Sequence, residues 1–259
     1  MTPKTNYKQM KIDFTNKTAL ITGATRGIGK SIAKCFYDAG ANLILTGTKQ
    51  EEVKQLNAEN KRNGIINIEY IQADFSDTSS TNNFLRKLHQ FDQIDICVNN
   101  AGVNKINDFI DTTIADFNWV NEINLNVPYK ILKIVGPKMI ANNYGRVVNI
   151  ASIWSVITRP GRSIYSTSKN ALVGLTKTLA VEWASNNVLV NCVSPGFTLT
   201  ELTNSTNTIN QLEAIEKNIP ARRMAEPVEI ARVVAFLCSD LNTYLTGQNI
   251  TIDGGFTNV

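Results

Sequence analysis

Histidine is almost missing from this chain: one, His89, stands among 259 residues. The four cysteines, Cys35, Cys97, Cys192 and Cys238, are far apart and form no Cys-x-x-Cys pair. A zinc site therefore has few ligands to draw on, and no metal is expected. Each cysteine lies in an apolar run, as buried free thiols of a reducing compartment do. No apolar run approaches the roughly 18 residues that cross a bilayer. Met1 to Asp13 is polar and lysine-bearing, without the apolar centre of a secretory signal. The expectation is a soluble, cytoplasmic protein with no membrane partner. Charge of a single sign is also scarce. Lys and Arg number 26 against 22 Asp and Glu, for a formal charge of +4, and they are dispersed. This balance excludes a basic nucleic-acid surface and leaves mild affinity for small anions.

What is present is an alternation. With 43% hydrophobic residues the chain is long enough for one large core. Short β-branched runs at 18–22, 43–46, 66–72, 94–98, 146–150, 188–193 and 249–252 are separated by helix-length segments such as 28–39, 51–61 and 163–184. Near-continuous apolar strands with helices between them form a parallel sheet covered on both faces. The fold class is thus α/β, a doubly wound, Rossmann-type, seven-stranded parallel sheet in a single domain. A polar extension over 1–13 precedes that domain, 14–259. Such sheets bind ligands at the carboxyl ends of their strands, where the winding reverses.

Thr22-Gly23-Ala24-Thr25-Arg26-Gly27-Ile28-Gly29 follows the first strand and opens a helix. Its glycines allow a tight turn and let a pyrophosphate approach the backbone, with the free N–H groups of the helix start facing it. At the end of the second strand a carboxylate would accept from ribose hydroxyls and repel a 2′-phosphate. This chain has Thr46-Gly47-Thr48-Lys49 there and no acid. Arg26 with Thr48 or Lys49 can instead meet a 2′-phosphate, so NADP(H) is favoured over NAD(H).

Tyr165-Ser166-Thr167-Ser168-Lys169 carries the chemistry. Residues four apart on a helix share a face, one turn apart. Bringing a tyrosine pKa from about 10 towards neutrality requires roughly 4 kcal/mol. One positive charge about 4 Å away supplies about that much at an effective dielectric near 20. Tyr165 beside Lys169 is accordingly expected to be a general acid/base working near neutral pH.

With Asn99-Asn100-Ala101-Gly102 after the fourth strand, these motifs complete a pattern that resembles the short-chain dehydrogenase/reductase family, close in form to its ketoacyl-reductase-like members. The resemblance runs from about Phe14 to Gly255 and takes in Asp74-Phe75, Asn124 in Glu-Ile-Asn-Leu, Ser152, Pro195-Gly196 and Asp253-Gly254-Gly255. It implies a tetrad of Asn124, Ser152, Tyr165 and Lys169. Tyr165 would exchange a proton with the substrate oxygen, which Ser152 would hydrogen-bond. Lys169 would lower the tyrosine pKa and hold the nicotinamide ribose, and Asn124 would position a water in a proton relay. For the cofactor it implies Gly23, Thr25, Arg26, Gly27, Ile28 and Gly29 at the phosphates and Thr48 at the 2′ position. Asp74 and Phe75 would flank adenine, and Asn100, Ala101 and Gly102 would border the ribose. Pro195, Gly196, Thr198 and Thr200, with Tyr165 and Lys169, would lie at the nicotinamide end. The family often has Ile or Val where this chain has Thr198.

The activity so implied is hydride transfer between NADP(H) and a small ketone or secondary alcohol, anionic and sugar-derived compounds being the candidates. The loop after Ser152 would line the substrate cleft, with Ile153, Trp154 and Arg162 as substrate contacts, Arg159 beside them, and a lid over about 199–218. One alternative is a 3-oxoacyl-[acyl-carrier-protein] reductase. Against it, Asn143 and Asn186 stand where carrier-using members have basic residues, so charge-assisted contacts to an acidic carrier are lost. An epimerase or dehydratase of the extended branch would need a C-terminal substrate domain. A non-catalytic NADP(H) sensor would be expected to lose tetrad members, and none is missing. Family members assemble as homotetramers, the implied state here.

Overall fold

Strands form where aliphatic and β-branched residues run together. β1 (Thr18–Ile21), β2 (Asn42–Gly47), β3 (Ile68–Gln72), β4 (Ile96–Asn99), β5 (Gly145–Ile150), β6 (Val188–Pro195) and β7 (Asn249–Ile252) make one parallel sheet, ordered β3-β2-β1-β4-β5-β6-β7. The computed structural model describes residues 11–201, 203 and 208–259. Most of the expected N-terminal extension, 1–10, and positions 202 and 204–207 of the expected lid lie outside the described residues. The helices are α1 (Gly27–Asp38), α2 (Gln50–Arg62), α3 (Thr78–His89), α4 (Ile114–Asn121), α5 (Val127–Ala141), α6 (Ser163–Trp183), α7 (Ile209–Asn218) and α8 (Pro227–Cys238). Strand order reverses between β1 and β4, which opens a crevice at their carboxyl ends.

Alternate strand residues feed two cores. Ala19 and Ile21, Ile96 and Val98, and Val148 and Ile150 pack with Ile32 and Phe36 of α1 and with Ile230 and Val234 of α8. Leu20, Cys97 and Val147 pack on the other face with Phe84 of α3 and with Ile131 and Val135 of α5. Each fully buried Phe, Leu or Ile contributes roughly 1.5–3 kcal/mol through area removed from water.

One row inside the second core is polar. Asn99 on β4 faces Asn149 on β5, which faces Cys192 on β6. The Asn99 amide donates to Asn149 Oδ1 at 2.7 Å, and Asn149 Nδ2 donates to Thr176 Oγ1 at 2.8 Å. The Thr176 hydroxyl donates in turn to the Leu172 carbonyl within α6, with Cys192 Sγ 3.0 Å away. These buried groups tie α6 to the sheet at a fixed height, because a slip would leave amide groups unpaired.

Two strand starts move by two residues from the sequence expectation, and one turn was not indicated by it. β3 begins at Ile68 rather than 66, since Ile66 is exposed. β4 begins at Ile96 rather than 94: the Asp95 carboxylate accepts from the Thr18 amide and closes the ladder there. Between α4 and α5 the helix widens into a π-helical turn over Glu122–Asn126 that periodicity did not indicate.

Thr176→Val keeps the shape of Thr176 and leaves Asn149 Nδ2 unpaired, so it is expected to cost about 1–3 kcal/mol in urea unfolding. Thr176→Ser, which keeps the hydroxyl, should lose less; equal stability of the Val variant and the wild type would contradict the role of this row.

Candidate active site

The loop between β1 and α1 is built to receive an anion. Gly23 and Gly27 take positive φ angles of 63° and 55°, which β-carbon-bearing residues adopt at a cost. Arg26 is the N-cap of α1 with extended backbone and no side-chain cap, so the first N–H groups of the helix have no capping partner. Gly29 is required by contact rather than by φ. A β-carbon there would lie 2.2 Å from the Gly23 carbonyl oxygen and 2.4 Å from Asn100 Nδ2. The Asn100 amide donates to the carbonyls of Thr22 and Gly23, so it braces the loop.

A cleft of about 480 Å³ runs from this loop across the ends of β2, β3 and β4. Gly23, Thr25, Arg26, Gly27, Ile28, Gly29, Thr48, Asp74, Phe75, Asn100, Ala101, Gly102 and Thr200, all expected from the sequence, line it. Lys49, at the N-cap of α2, is not among the lining residues. Trp119 and Ile123 also line it and had no signal in the sequence. The absence of an acid at the end of β2 has a steric side. A β-carbon at Gly47 would stand 2.5 Å from Thr25 Cγ2 and 3.0 Å from Val53 Cγ2. An uncapped helix start, glycines whose β-carbons would fill the turn and Arg26 lining the cleft fit a dinucleotide phosphate. When bound there, such a cofactor supplies or accepts a hydride.

Asn124 and Lys169 lie beside Gly102 of the cleft wall, Tyr165 adjoins Lys169 and Ser152 adjoins Tyr165, but none of the four lines the cleft itself. Ser152 follows the end of β5, and Tyr165 and Lys169 lie in the first two turns of α6. Lys169 Nζ donates to the Ile150 carbonyl at 2.8 Å and lies 5.6 Å from the Tyr165 ring centroid. Asn124 sits in the π turn, which swings its amide onto the backbone of Val103: Oδ1 accepts from Val103 N at 2.8 Å and Nδ2 donates to Val103 O at 2.9 Å. Nδ2 also donates to Ser168 Oγ on α6. A methyl on Gly102 would come within 3.2 Å of Asn124 Oδ1 and 3.3 Å of Lys169 Nζ, which places three motifs around one point.

Burial raises the Tyr165 phenol above its ordinary range, while a Ser152 hydrogen bond and the charge of Arg162 pull it down. Arg162 thus adds a positive charge beside the phenol that the sequence reading had not assigned to it. Burial also draws Lys169 down to about 8, with a small opposite effect from the Cys192 thiol. The lysine keeps most of its charge at pH 7 and titrates just above it.

Of the expected substrate contacts, Ile153 and Trp154 are buried in a 3₁₀ turn after Ser152. The Trp154 ring meets Phe197 edge-on at 6.4 Å. Pro195 ends β6, and Gly196 donates to the Ile252 carbonyl. Thr198 is buried, its hydroxyl turned to the Gly196 carbonyl at 3.2 Å. A second cavity, of about 340 Å³, is bordered by Ile157, Arg159, Phe197, Ile215, Asn218, Phe256 and Val259, so α7 of the expected lid forms one of its walls.

The lysine yields a pH prediction. Its folded pKa of about 8 lies below its ordinary 10.5, so the unfolded chain binds the proton more tightly. The resulting loss of stability, about 3 kcal/mol, is full below pH 8 and vanishes above about pH 10.5. Lys169→Met should therefore be more stable than wild type in urea at pH 7, and the difference should shrink as pH rises from 8 towards 10.5. A pH-independent difference would contradict the buried ammonium.

Known proteins share this arrangement. The family profile described as enoyl-(acyl carrier protein) reductase matches residues 23–257. The 3-oxoacyl-[acyl-carrier-protein] reductase FabG of Rickettsia bellii is 38% identical over 94% of this chain and 98% of its own length. A provisionally assigned gluconate dehydrogenase from Agrobacterium tumefaciens superposes with a TM-score of 0.88 at 31% identity, covering 97% of this chain and all of that one. A provisionally assigned NAD(P)-dependent gluconate 5-dehydrogenase from Beutenbergia cavernae, solved with bound NADP, has a TM-score of 0.88 at 32% identity, over 96% and 99% of the two chains. Sheet order, cleft and sequence agree: the chain belongs to the short-chain dehydrogenase/reductase family, NAD(P)-dependent oxidoreductases that interconvert ketones and alcohols.

Proposed function

We propose that this protein is an NADP(H)-dependent reductase of a small, sugar-derived ketone, or the dehydrogenase of the corresponding secondary alcohol. The carrying observation is that Asn124 and Lys169 meet beside Gly102, with Tyr165 next to Lys169 and Ser152 next to Tyr165. In reduction the Tyr165 hydroxyl gives its proton to the substrate oxygen as carbon accepts hydride; in oxidation the phenolate takes it back. Ser152 holds that oxygen against the phenol. Lys169 stabilises the phenolate that forms and, with Asn124, returns the proton from solvent. Pro195, Gly196 and Thr198 frame the nicotinamide end. Arg26 and Thr48 at the cleft, with no carboxylate at the end of β2, support a 2′-phosphate over a free hydroxyl. The two gluconate dehydrogenase likenesses support a polyhydroxylated substrate.

A second reading, reduction of a 3-oxoacyl group on a carrier protein, is favoured by the 38% identity to FabG of Rickettsia bellii. Asn143 and Asn186, whose uncharged side chains argue against a carrier, precede β5 and β6 and so stand at the sheet edge opposite Ser152. They bear on carrier docking only through a neighbouring subunit. Asn143 also has a positive φ of 50°, which suits asparagine better than arginine.

A panel of ketones, including sugar-derived ketones and acyl thioesters, followed at the NADPH absorbance band tests the reading. Turnover should be faster with NADPH than NADH. Tyr165→Phe should lower it by about 100-fold or more while NADPH affinity stays within a few-fold. Retention of a tenth of the wild-type rate would remove Tyr165 as acid/base, and a preference for NADH would overturn the role given to Arg26 and Thr48.

We also infer a homotetramer. Phe109, Ile110, Ile114 and Phe117 on and before α4 and Tyr129 on α5 leave an exposed apolar face, and β7 is an open sheet edge. Light scattering at micromolar concentration should give about four times the chain mass of 28.6 kDa; a mass of 28.6 kDa would refute it.

A further inference from the structure

The amino end of α6 holds a cluster of polar groups without partners among the described residues. Arg162, its N-cap, is only 6% exposed, and its Nε makes no hydrogen bond. The next residue, Ser163, has a buried hydroxyl that is also unpaired. No side chain caps the helix, so the N–H groups of its first turn face the same end. The guanidinium of Arg162 lies 5.1 Å from the Trp154 ring centroid, and that of Arg159 lies 5.0 Å from the same ring. Among the described residues no carboxylate forms an ion pair with either arginine. Burial and the neighbouring Arg159 both lower the pKa of Arg162.

Two guanidinium groups on one indole, at the positive end of a 21-residue helix and with no counter-charge, are unfavourable alone. An anion relieves all of it at once. It accepts from the Arg162 fork, from Ser163 and from the helix N–H groups, and it separates two like charges. Arg162 stands three residues before Tyr165, hence one turn away on the same face. Arg159 borders the second cavity.

The geometry points to a substrate-anion subsite at the start of α6: Arg162, Ser163 and Arg159, seated on Trp154, bind a carboxylate or phosphate of the substrate while Ser152 and Tyr165 hold its carbonyl oxygen. This deepens the proposed function and rests on it for the word substrate. The ketone is thus a compact acid or phosphate whose charged group lies near the reacting oxygen. Arg162 then has a second effect, since its charge also lowers the Tyr165 pKa; an anion that neutralises Arg162 returns the phenol towards its protonated form, the form that reduction consumes.

Matched pairs of ketones separate this from the reductase reading. With NADPH, kcat/KM is compared for levulinate against methyl levulinate and for dihydroxyacetone phosphate against dihydroxyacetone. The charged member of at least one pair should exceed its neutral mate by about tenfold or more, and the better pair identifies the anion. Arg162→Gln should reduce that ratio about tenfold, chiefly through KM, with Arg162→Lys in between. Independently of turnover, acetate and inorganic phosphate should quench tryptophan fluorescence saturably in the wild type and not in Arg162→Gln. If Arg162→Gln does not fold, the wild-type ratios and the Arg162→Lys titration decide. Charged-to-neutral ratios near one, with no saturable anion binding, overturn the subsite even if ketones are reduced. Anion binding that depends on Arg162, with no ketone reduced, keeps the anion site and overturns the proposed function instead.

Discussion

A buried ammonium held by one backbone carbonyl sets the terms for the rest of this site. Lys169 is 3% exposed and its only hydrogen bond among the described residues runs to the Ile150 carbonyl at the end of β5. A charge so placed is tolerated only if its partner cannot move away. The carbonyl is fixed because β5 is paired on both sides, with β4 and with β6. The helix that carries the lysine is fixed by the Asn99–Asn149–Thr176 row beneath it. Sheet, polar row and helix therefore make one positioning device, and Tyr165, one turn before the lysine, inherits its place from that device.

Both ends of the reaction centre face positive helix termini. The uncapped start of α1 looks into the cleft from the cofactor side, and the uncapped start of α6 carries Arg162 and leads into Tyr165. On the proposed reading an anion binds at each, and the carbonyl to be reduced lies between them. Tyr165 is thereby poised by opposing effects: burial raises its pKa, while Ser152 and Arg162 lower it.

Much of this could be read from the chain, because each legible feature had a local cause. Parallel strands announce themselves as β-branched runs, and Thr22–Gly29 as glycines between a strand and a helix. What stayed hidden depends on contacts between distant segments. The π turn that aims Asn124 at Val103 has no periodic signature. The Thr25 methyl that blocks a side chain at Gly47 belongs to another loop, so the missing acid at the end of β2 reads as a charge choice alone. Four-residue spacing placed Lys169 correctly beside Tyr165, yet could not tell that Nζ turns to Ile150 or that Arg162 adds its charge beside the phenol. The burial of Trp154 and Arg162, in a loop expected to be open cleft wall, also comes from tertiary packing, in which Phe197 closes over the indole.

The buried lysine is directly observable. With ¹³C-labelled lysine, the Cε chemical shift of Lys169, assigned by comparison with Lys169→Arg, can be followed from pH 6 to 11. Its titration should have a midpoint near 8; a midpoint at the ordinary 10.5 would show a solvated ammonium and contradict the positioning of the site.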